Sequence, residues 1–196
     1  MFNPSFPKAL ALLLMACAAV PAHADWYLDN ESSRLSFVST KNSSIAEVQR
    51  FLVLHGKVDE QGKAQLQVEL ESVNSAIPLR DERVRKELFE IKAYPEAAIS
   101  AQLNLQPIKD LAPGAQIELL LPVTVDLHGQ QHTYNAELLA TRLDDRRFQV
   151  VTLEPLVLDA EDFKLAPGVE TLRKAAGLSA ISLSVPVGAV LIFTAR

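Results

Sequence analysis

The sequence predicts an all-β fold: an antiparallel barrel of about eight strands with one or two short helices. Apolar and polar residues alternate in many segments, and every odd-numbered position from Ile117 to Leu127 is apolar. Short polar turns separate these segments, which indicates antiparallel pairing. The C-terminal segment 180–194 is apolar on both faces, as expected for a strand that is buried between barrel and lid and does not lie at an exposed edge. Two stacked sheets would also bury these faces, but closure is favoured because it removes exposed edges.

Each element follows from a local pattern. Residues 81–91 carry apolar side chains at helical spacing behind Asp81, a candidate N-cap, which predicts a short helix. A second helix is predicted over residues 169–176, ending at Gly177. The predicted strands span residues 34–40, 51–58, 64–71, 97–105, 117–127, 132–143, 148–153 and 180–194, with turns at 59–63, 128–131 and 144–146.

The N-terminal residues 1–24 are predicted to be a signal peptide. One cation, Lys8, precedes an apolar run over residues 9–20, and Ala22-His23-Ala24 matches the small-x-small cleavage pattern. The run is too short for a resident membrane helix. Export as a lipoprotein stays open as an alternative, because residues 14–17 resemble a lipobox in which Cys17 would be lipidated. Export to the periplasm is expected in either case.

Residues 25–196 are predicted to form one domain. Cys17 is the only cysteine, so no internal disulfide can form. With 24 acidic and 19 basic residues, the chain carries a net charge of −5, which argues against nucleic acid as a partner. No later segment is long and apolar enough to span a membrane. Familiar catalytic motifs are absent from the sequence, so an enzyme is not expected.

Four stretches together resemble the YceI-like family of periplasmic, lipocalin-like proteins. The stretch from Arg80 to Pro95 is the most specific of them and is similar to the family's "RD…L…FF…YP" segment. The others are Trp26-Tyr27-Leu28-Asp29 with Ser33-Arg34-Leu35-Ser36-Phe37, Leu127-His128-Gly129 with His132, and Asp162-Phe163-Lys164-Leu165 with Val185-Pro186-Val187. The resemblance implies a lipocalin-like barrel closed at one end by a helix. It also implies an apolar channel for a polyisoprenoid chain of the quinone or prenyl-phosphate kind.

The inward residues of such a barrel could form a ligand-binding wall or a packed core, and alternation alone favours the packed core. The resemblance favours the channel. Arg80 and Arg83 lie in the best-matching stretch and could hold a polar head, as could Asn42, although a solvated helix face explains charges there equally well. The predicted ligand-binding residues are Phe37, Phe51, Val53, Leu66, Val68, Arg80, Arg83, Phe89, Ile99, Leu119, Leu121, Val123 and Phe163.

The histidines do not predict a metal site. His128 and His132 flank a turn without a third ligand nearby and are expected to be exposed, whereas His55 is expected to be a barrel residue with a satisfied side chain. The sequence thus predicts an exported, non-catalytic protein that carries or sequesters an isoprenoid-type or other amphiphilic lipid, with no cofactor. The alternative is an envelope interaction protein whose barrel is filled by side chains and whose function lies on its outer surface. Whether the barrel forms a homodimer is left open.

Overall fold

The computed structural model describes residues 25–196, and the predicted signal peptide and Cys17 lie outside them. Three short helices accompany the strands: α1 (Pro78–Arg83), which continues as a π-helical turn over Val84–Leu88, α2 (Gln106–Lys109) and α3 (Ala166–Ala175). The strands are β1 (Trp26–Leu28), β2 (Arg34–Lys41), β3 (Ile45–Phe51), β4 (Leu54–Val58), β5 (Lys63–Glu69), β6 (Val73–Asn74), β7 (Glu96–Gln102), β8 (Gln116–Leu127), β9 (Gln130–Arg142), β10 (Arg147–Thr152), β11 (Leu156–Asp159) and β12 (Ser184–Ala195).

The sheet closes into an antiparallel barrel of eight strands, which confirms the predicted fold class. The order of the closed ring is β1-β4-β5-β7-β8-β9-β10-β12, and β12 pairs with β1 to complete it. The first part of β12 also pairs with β2 and β11, so this apolar strand has neighbours along its length. β2 in turn pairs with β3, which lengthens the barrel beyond the closed ring. Closure leaves no edge in the ring to be paired by another chain.

The longest hairpin shows how local sequence determines register. Strands β8 and β9 pair from Gln116–Thr141 to Leu127–Gln130 without interruption. The two residues between them, His128 and Gly129, both have positive φ (53° and 72°), as a two-residue type I′ turn requires. Within residues 25–196, no helix is both long enough and apolar enough to cross a bilayer.

Helices close both ends of the barrel. At one end Leu105 and Ile108, beside and within α2, pack against Phe148 and Phe193. At the other end α3 packs against the π-helical turn that follows α1. Gly168 is required in α3, because a Cβ there would lie 2.6 Å from the backbone oxygen of Glu87.

Several sequence-based predictions are corrected by the structure. The single strand predicted over residues 51–58 is wrong, because the chain bends at Leu52 and Val53 between β3 and β4. The first helix begins at Pro78, so Asp81 is not its N-cap; the buried Asp81 carboxylate instead accepts hydrogen bonds from the amide and hydroxyl of Ser75. β1, β3, β6, β11 and α2 were not predicted as separate elements.

Candidate ligand-binding channel

The barrel interior contains three adjoining cavities, here called the inner, middle and mouth cavities, of about 190, 130 and 390 Å³. Leu35, Ile99 and Val187 line both the inner and the middle cavity. Phe37 and Leu88 are among the residues that line both the middle and the mouth cavity. The cavities therefore form a series along the barrel, and their combined volume of about 710 Å³ lies in the range of ligand-binding pockets.

The inner cavity lies at the end of the barrel that α2 covers. Trp26 and Ile108 line this end, and the Trp26 ring meets Phe148 edge-on at 5.9 Å between centroids. Alternating side chains of β7, β8 and β9 form much of the remaining wall, and most of them are aliphatic. Such a wall offers an apolar tail burial without directional contacts.

Aromatic side chains surround the middle cavity. Phe51 lies 5.4 Å from Phe37 and 5.9 Å from Phe89, measured between ring centroids. Phe163 is 1% exposed and lies against the rings of His132 and Tyr134, at 5.2 and 6.5 Å. Phe163 follows β11, which pairs with β12 but not with β9. This side chain therefore covers the side of the barrel where β9 and β11 have separated.

The mouth cavity differs from the other two because basic side chains line it. Lys41, Arg80 and Arg83 contribute to its wall, and the exposed apolar residues Ile77 and Leu79 form part of its rim. The mouth thus combines an apolar rim with charged groups, an arrangement suited to the polar end of an amphiphile.

An ion-pair network holds Arg80 in place. Its Nη1 donates to Oε2 of Glu47, while its Nε and Nη2 donate to the hydroxyl and carbonyl oxygens of Ser75, each at 2.7 Å. The Nζ of Lys41 lies 2.7 Å from the same Glu47 oxygen. The hydrogen bond from Lys41, followed by that from Arg80, holds the pKa of Glu47 below its usual value, so this carboxylate is ionised at neutral pH.

Arg83 has a different environment. Its Nη1 donates to the carbonyl oxygen of Ala175, the last residue of α3, at 3.3 Å. This bond joins α1 to α3 across the mouth. Asn42 is also engaged, because its Oδ1 accepts hydrogen bonds from the amide and hydroxyl of Ser179, both at 2.9 Å.

The structure places twelve of the thirteen predicted ligand-binding residues on the walls of these cavities, and their role in binding stays a prediction. Val53 is the exception. Since Phe51 and Leu54 both point inward, the bend between β3 and β4 shifts the alternation and takes Val53 off the inner face. The inner wall includes Leu66, Ile99, Leu119, Leu121 and Val123; the middle includes Phe37, Phe51, Val68, Phe89, Ile99 and Phe163; the mouth includes Phe37, Arg80 and Arg83.

Sequence reasoning missed several lining residues. Leu35 could have been found, because it alternates with Phe37 on β2. Gln49 and Lys41 could not have been found in this way, because polar side chains on an inward face break the alternation of apolar and polar residues.

The prediction for His128 needs a correction. The side chain of His128 is only 13% exposed, since its ring packs 4.2 Å from Tyr94 and its Nε2 lies 3.1 Å from Glu90. His55 lies on β4 of the barrel and faces outward, and its Nε2 lies 2.8 Å from Oε1 of Glu69. Over residues 25–196, no three His, Cys, Asp or Glu side chains gather as a metal site.

Comparison with known proteins identifies relatives of this barrel. The family model for the YceI-like domain matches residues 26–192. A polyisoprenoid-binding domain from Saccharophagus degradans, implicated in plant cell wall breakdown, is 38% identical, with a TM-score of 0.86 over 87% of this chain and 98% of that one. A search of curated protein sequences gives no significant match.

More distant solved structures share the fold. BcnA of Burkholderia cenocepacia is 18% identical, with a TM-score of 0.63 over 84% of this chain and 98% of that one. The YCEI protein of Campylobacter jejuni is 12% identical, with a TM-score of 0.53 over 76% of this chain and 84% of that one. The family match over nearly all of residues 25–196, together with the barrel and the 38% identity, shows that this chain belongs to the YceI-like family.

Proposed function

We propose that this chain is an exported, non-catalytic binding protein that holds the tail of a polyisoprenoid, or of a similarly long amphiphilic lipid, inside its barrel. The observation that carries the proposal is the series of three adjoining cavities with largely apolar walls. The 38% identical domain from Saccharophagus degradans, which is described as polyisoprenoid-binding, supports the same class of ligand.

The affinity would come mainly from removing the tail from water. Each buried methylene contributes about 0.8 kcal/mol, so a branched tail of several isoprene units can bind tightly without a polar contact. The aliphatic inner cavity and the aromatic middle cavity would hold the tail. The head would then lie in the mouth cavity, where Lys41, Arg80 and Arg83 are found.

The mouth is covered by elements that could move to admit a ligand. α1 and α3 meet there through the hydrogen bond from Arg83 to the carbonyl oxygen of Ala175, at 3.3 Å, and α3 also packs against the π-helical turn that follows α1. In contrast, the ladder between β8 and β9 in the barrel wall is continuous over the whole length of β8. We infer that entry occurs by movement of these helical elements, because it requires no strand ladder of the wall to break.

The cavities also favour a carrier over an interaction protein with a filled barrel, because close-packed interiors contain few voids larger than a water molecule. For a catalytic role, a nucleophile, a base and an orienting group would have to converge at one site. The channel walls are instead mostly aliphatic and aromatic, and the basic groups at the mouth are held by carboxylate or carbonyl oxygens. Binding is therefore the proposed activity.

Export is the second part of the proposal and rests on the sequence of residues 1–24. Expression of the full chain in a bacterial host, followed by fractionation and N-terminal sequencing, tests it. A periplasmic protein that begins at Asp25 would support cleavage by signal peptidase. A membrane-bound form that begins at a lipidated Cys17 would support the lipoprotein route, and an unprocessed cytoplasmic chain would contradict export.

The binding proposal is tested by titration calorimetry with isoprenoids that share one head and differ in tail length. Affinity should rise with each added unit until the channel is filled and then level off. Binding should also show a negative heat-capacity change, the mark of apolar burial. Failure of every tail length to bind would contradict the proposal.

A further inference from the structure

Gln49 is an unexpected residue in the channel wall. It lies on β3, is only 6% exposed and lines the mouth cavity. Within the described part of the chain, its Oε1 atom is buried and has no hydrogen-bond partner. A buried amide without a partner is unfavourable for the empty protein, so a partner supplied by a ligand would relieve this cost.

The position of Gln49 marks a boundary in the wall. On the inward face of β3, Glu47, Gln49 and Phe51 follow one another from the mouth towards the interior. Cross-strand pairing sets Glu47 opposite Ser39, Gln49 opposite Phe37 and Phe51 opposite Leu35. The wall therefore passes from charged, through neutral and polar, to apolar, and Gln49 occupies the neutral step.

Two of the three cations that line the mouth, Lys41 and Arg80, are paired with a carboxylate, whereas Arg83 donates to a neutral carbonyl oxygen. Glu47 accepts from both Lys41 and Arg80, and Arg80 also donates to Ser75. Ser75 in turn donates to the buried carboxylate of Asp81. A phosphate or diphosphate head would have to compete with Glu47 for the same cations, and it would bring further negative charge near both carboxylates.

We propose that Gln49 is a specificity-determining residue whose Oε1 accepts a hydrogen bond from the hydroxyl of an uncharged head, and so selects neutral isoprenoid alcohols over phosphorylated isoprenoids. This inference rests on the proposed binding function and names the class of head within it. The amide suits the task because its unpaired oxygen accepts from a hydroxyl, whereas an ionised phosphate has no proton to donate to it. Tail burial supplies the affinity, and Gln49 supplies the choice of head.

Two probes with the same tail, geranylgeraniol and geranylgeranyl diphosphate, test the inference. Their binding to the chain without its first 24 residues is measured by calorimetry for the unsubstituted protein and for Gln49→Met. Methionine has a similar length and flexibility but no amide group. The matched control is Gln67→Met, because Gln67 is an exposed, outward-facing glutamine on β5.

The inference predicts that the unsubstituted protein prefers the alcohol. Gln49→Met should weaken alcohol binding about tenfold, the effect of one hydrogen bond in a buried site, and change diphosphate binding less than about twofold. Gln67→Met should change neither. The empty Gln49→Met protein should also unfold at a higher temperature than the unsubstituted protein, because an unpaired buried amide has been removed.

Other results overturn the inference. If the diphosphate binds more tightly than the alcohol, or if Gln49→Met binds the alcohol unchanged because water alone satisfies the amide, Gln49 does not select the head. Both of these results would leave the proposed binding function intact. Binding of neither probe to the unsubstituted protein would instead contradict the binding function itself, and the head preference with it.

Discussion

Filling the inner cavity from its wall should block a ligand tail without harming the fold. Ala101 lines this cavity from β7, and Ala98 lies on the same strand but faces outward and is exposed. Ala101→Phe therefore places a ring in the channel, whereas Ala98→Phe places the same ring outside it. The two variants form a matched pair, equal in chemistry and different only in the face of the strand.

The magnitude follows from the volume exchanged. The ring adds roughly six carbons, about the size of one five-carbon isoprene unit, so one unit of tail is excluded from the channel. At about 0.8 kcal/mol for each buried methylene, the loss is at most about 4 kcal/mol, and about half of that if the tail shifts towards the mouth. Affinity for a tail that fills the channel should therefore fall between about 30-fold and about 1,000-fold.

Calorimetry with one long-tailed isoprenoid measures this loss. The unfolding temperature of Ala101→Phe should stay close to that of the unsubstituted protein, because the ring enters empty space and not a packed core. Ala98→Phe should bind normally. An Ala101→Phe variant that is folded and binds the ligand with undiminished affinity would refute the channel as the tail site.

Three further predictions concern Phe163 in the barrel wall, Glu47 at the mouth and Trp26 in the inner cavity. Phe163→Ala should lower the free energy of unfolding by about 3–5 kcal/mol in urea denaturation. A loss below about 1 kcal/mol would contradict the role of Phe163 in covering the barrel where β9 and β11 have separated. Because Lys41 and Arg80 lower the pKa of Glu47 below 4.5, its stabilising effect is present above pH 4.5 and is lost as pH falls through the folded-state value. Glu47→Gln should therefore show a smaller acid-induced drop in unfolding temperature, and an unchanged drop would refute this coupling. Trp26, the single tryptophan, lines the inner cavity, so a full-length tail should change its fluorescence whereas a short tail that stops at the middle cavity should not.

The strands of the barrel wall could be predicted because one physical pattern governs them. From Ile117 to Leu127, each inward position is apolar. Period-two alternation therefore identified both the strand and its inner face. Closure followed from β12, whose apolar character on both faces matches its pairing with four other strands.

The candidate site was harder to predict because it departs from that pattern. β3 was missed as a separate strand, since its inward residues Glu47 and Gln49 are polar and lie at the mouth. Local signals fail where the chain uses polar side chains on an inner face, which is where a ligand head would bind. The role of Asp81 was missed for another reason: its partner Ser75 precedes the helix, and sequence spacing did not reveal that contact.

Native mass spectrometry of the protein purified from its own host's periplasm, followed by solvent extraction and mass analysis of the lipid, tests the central claim most directly. The proposed function predicts one isoprenoid-type lipid for each barrel, with an uncharged head if Gln49 selects it. A protein that is recovered empty and also fails to bind added quinones and prenyl phosphates would contradict the claim.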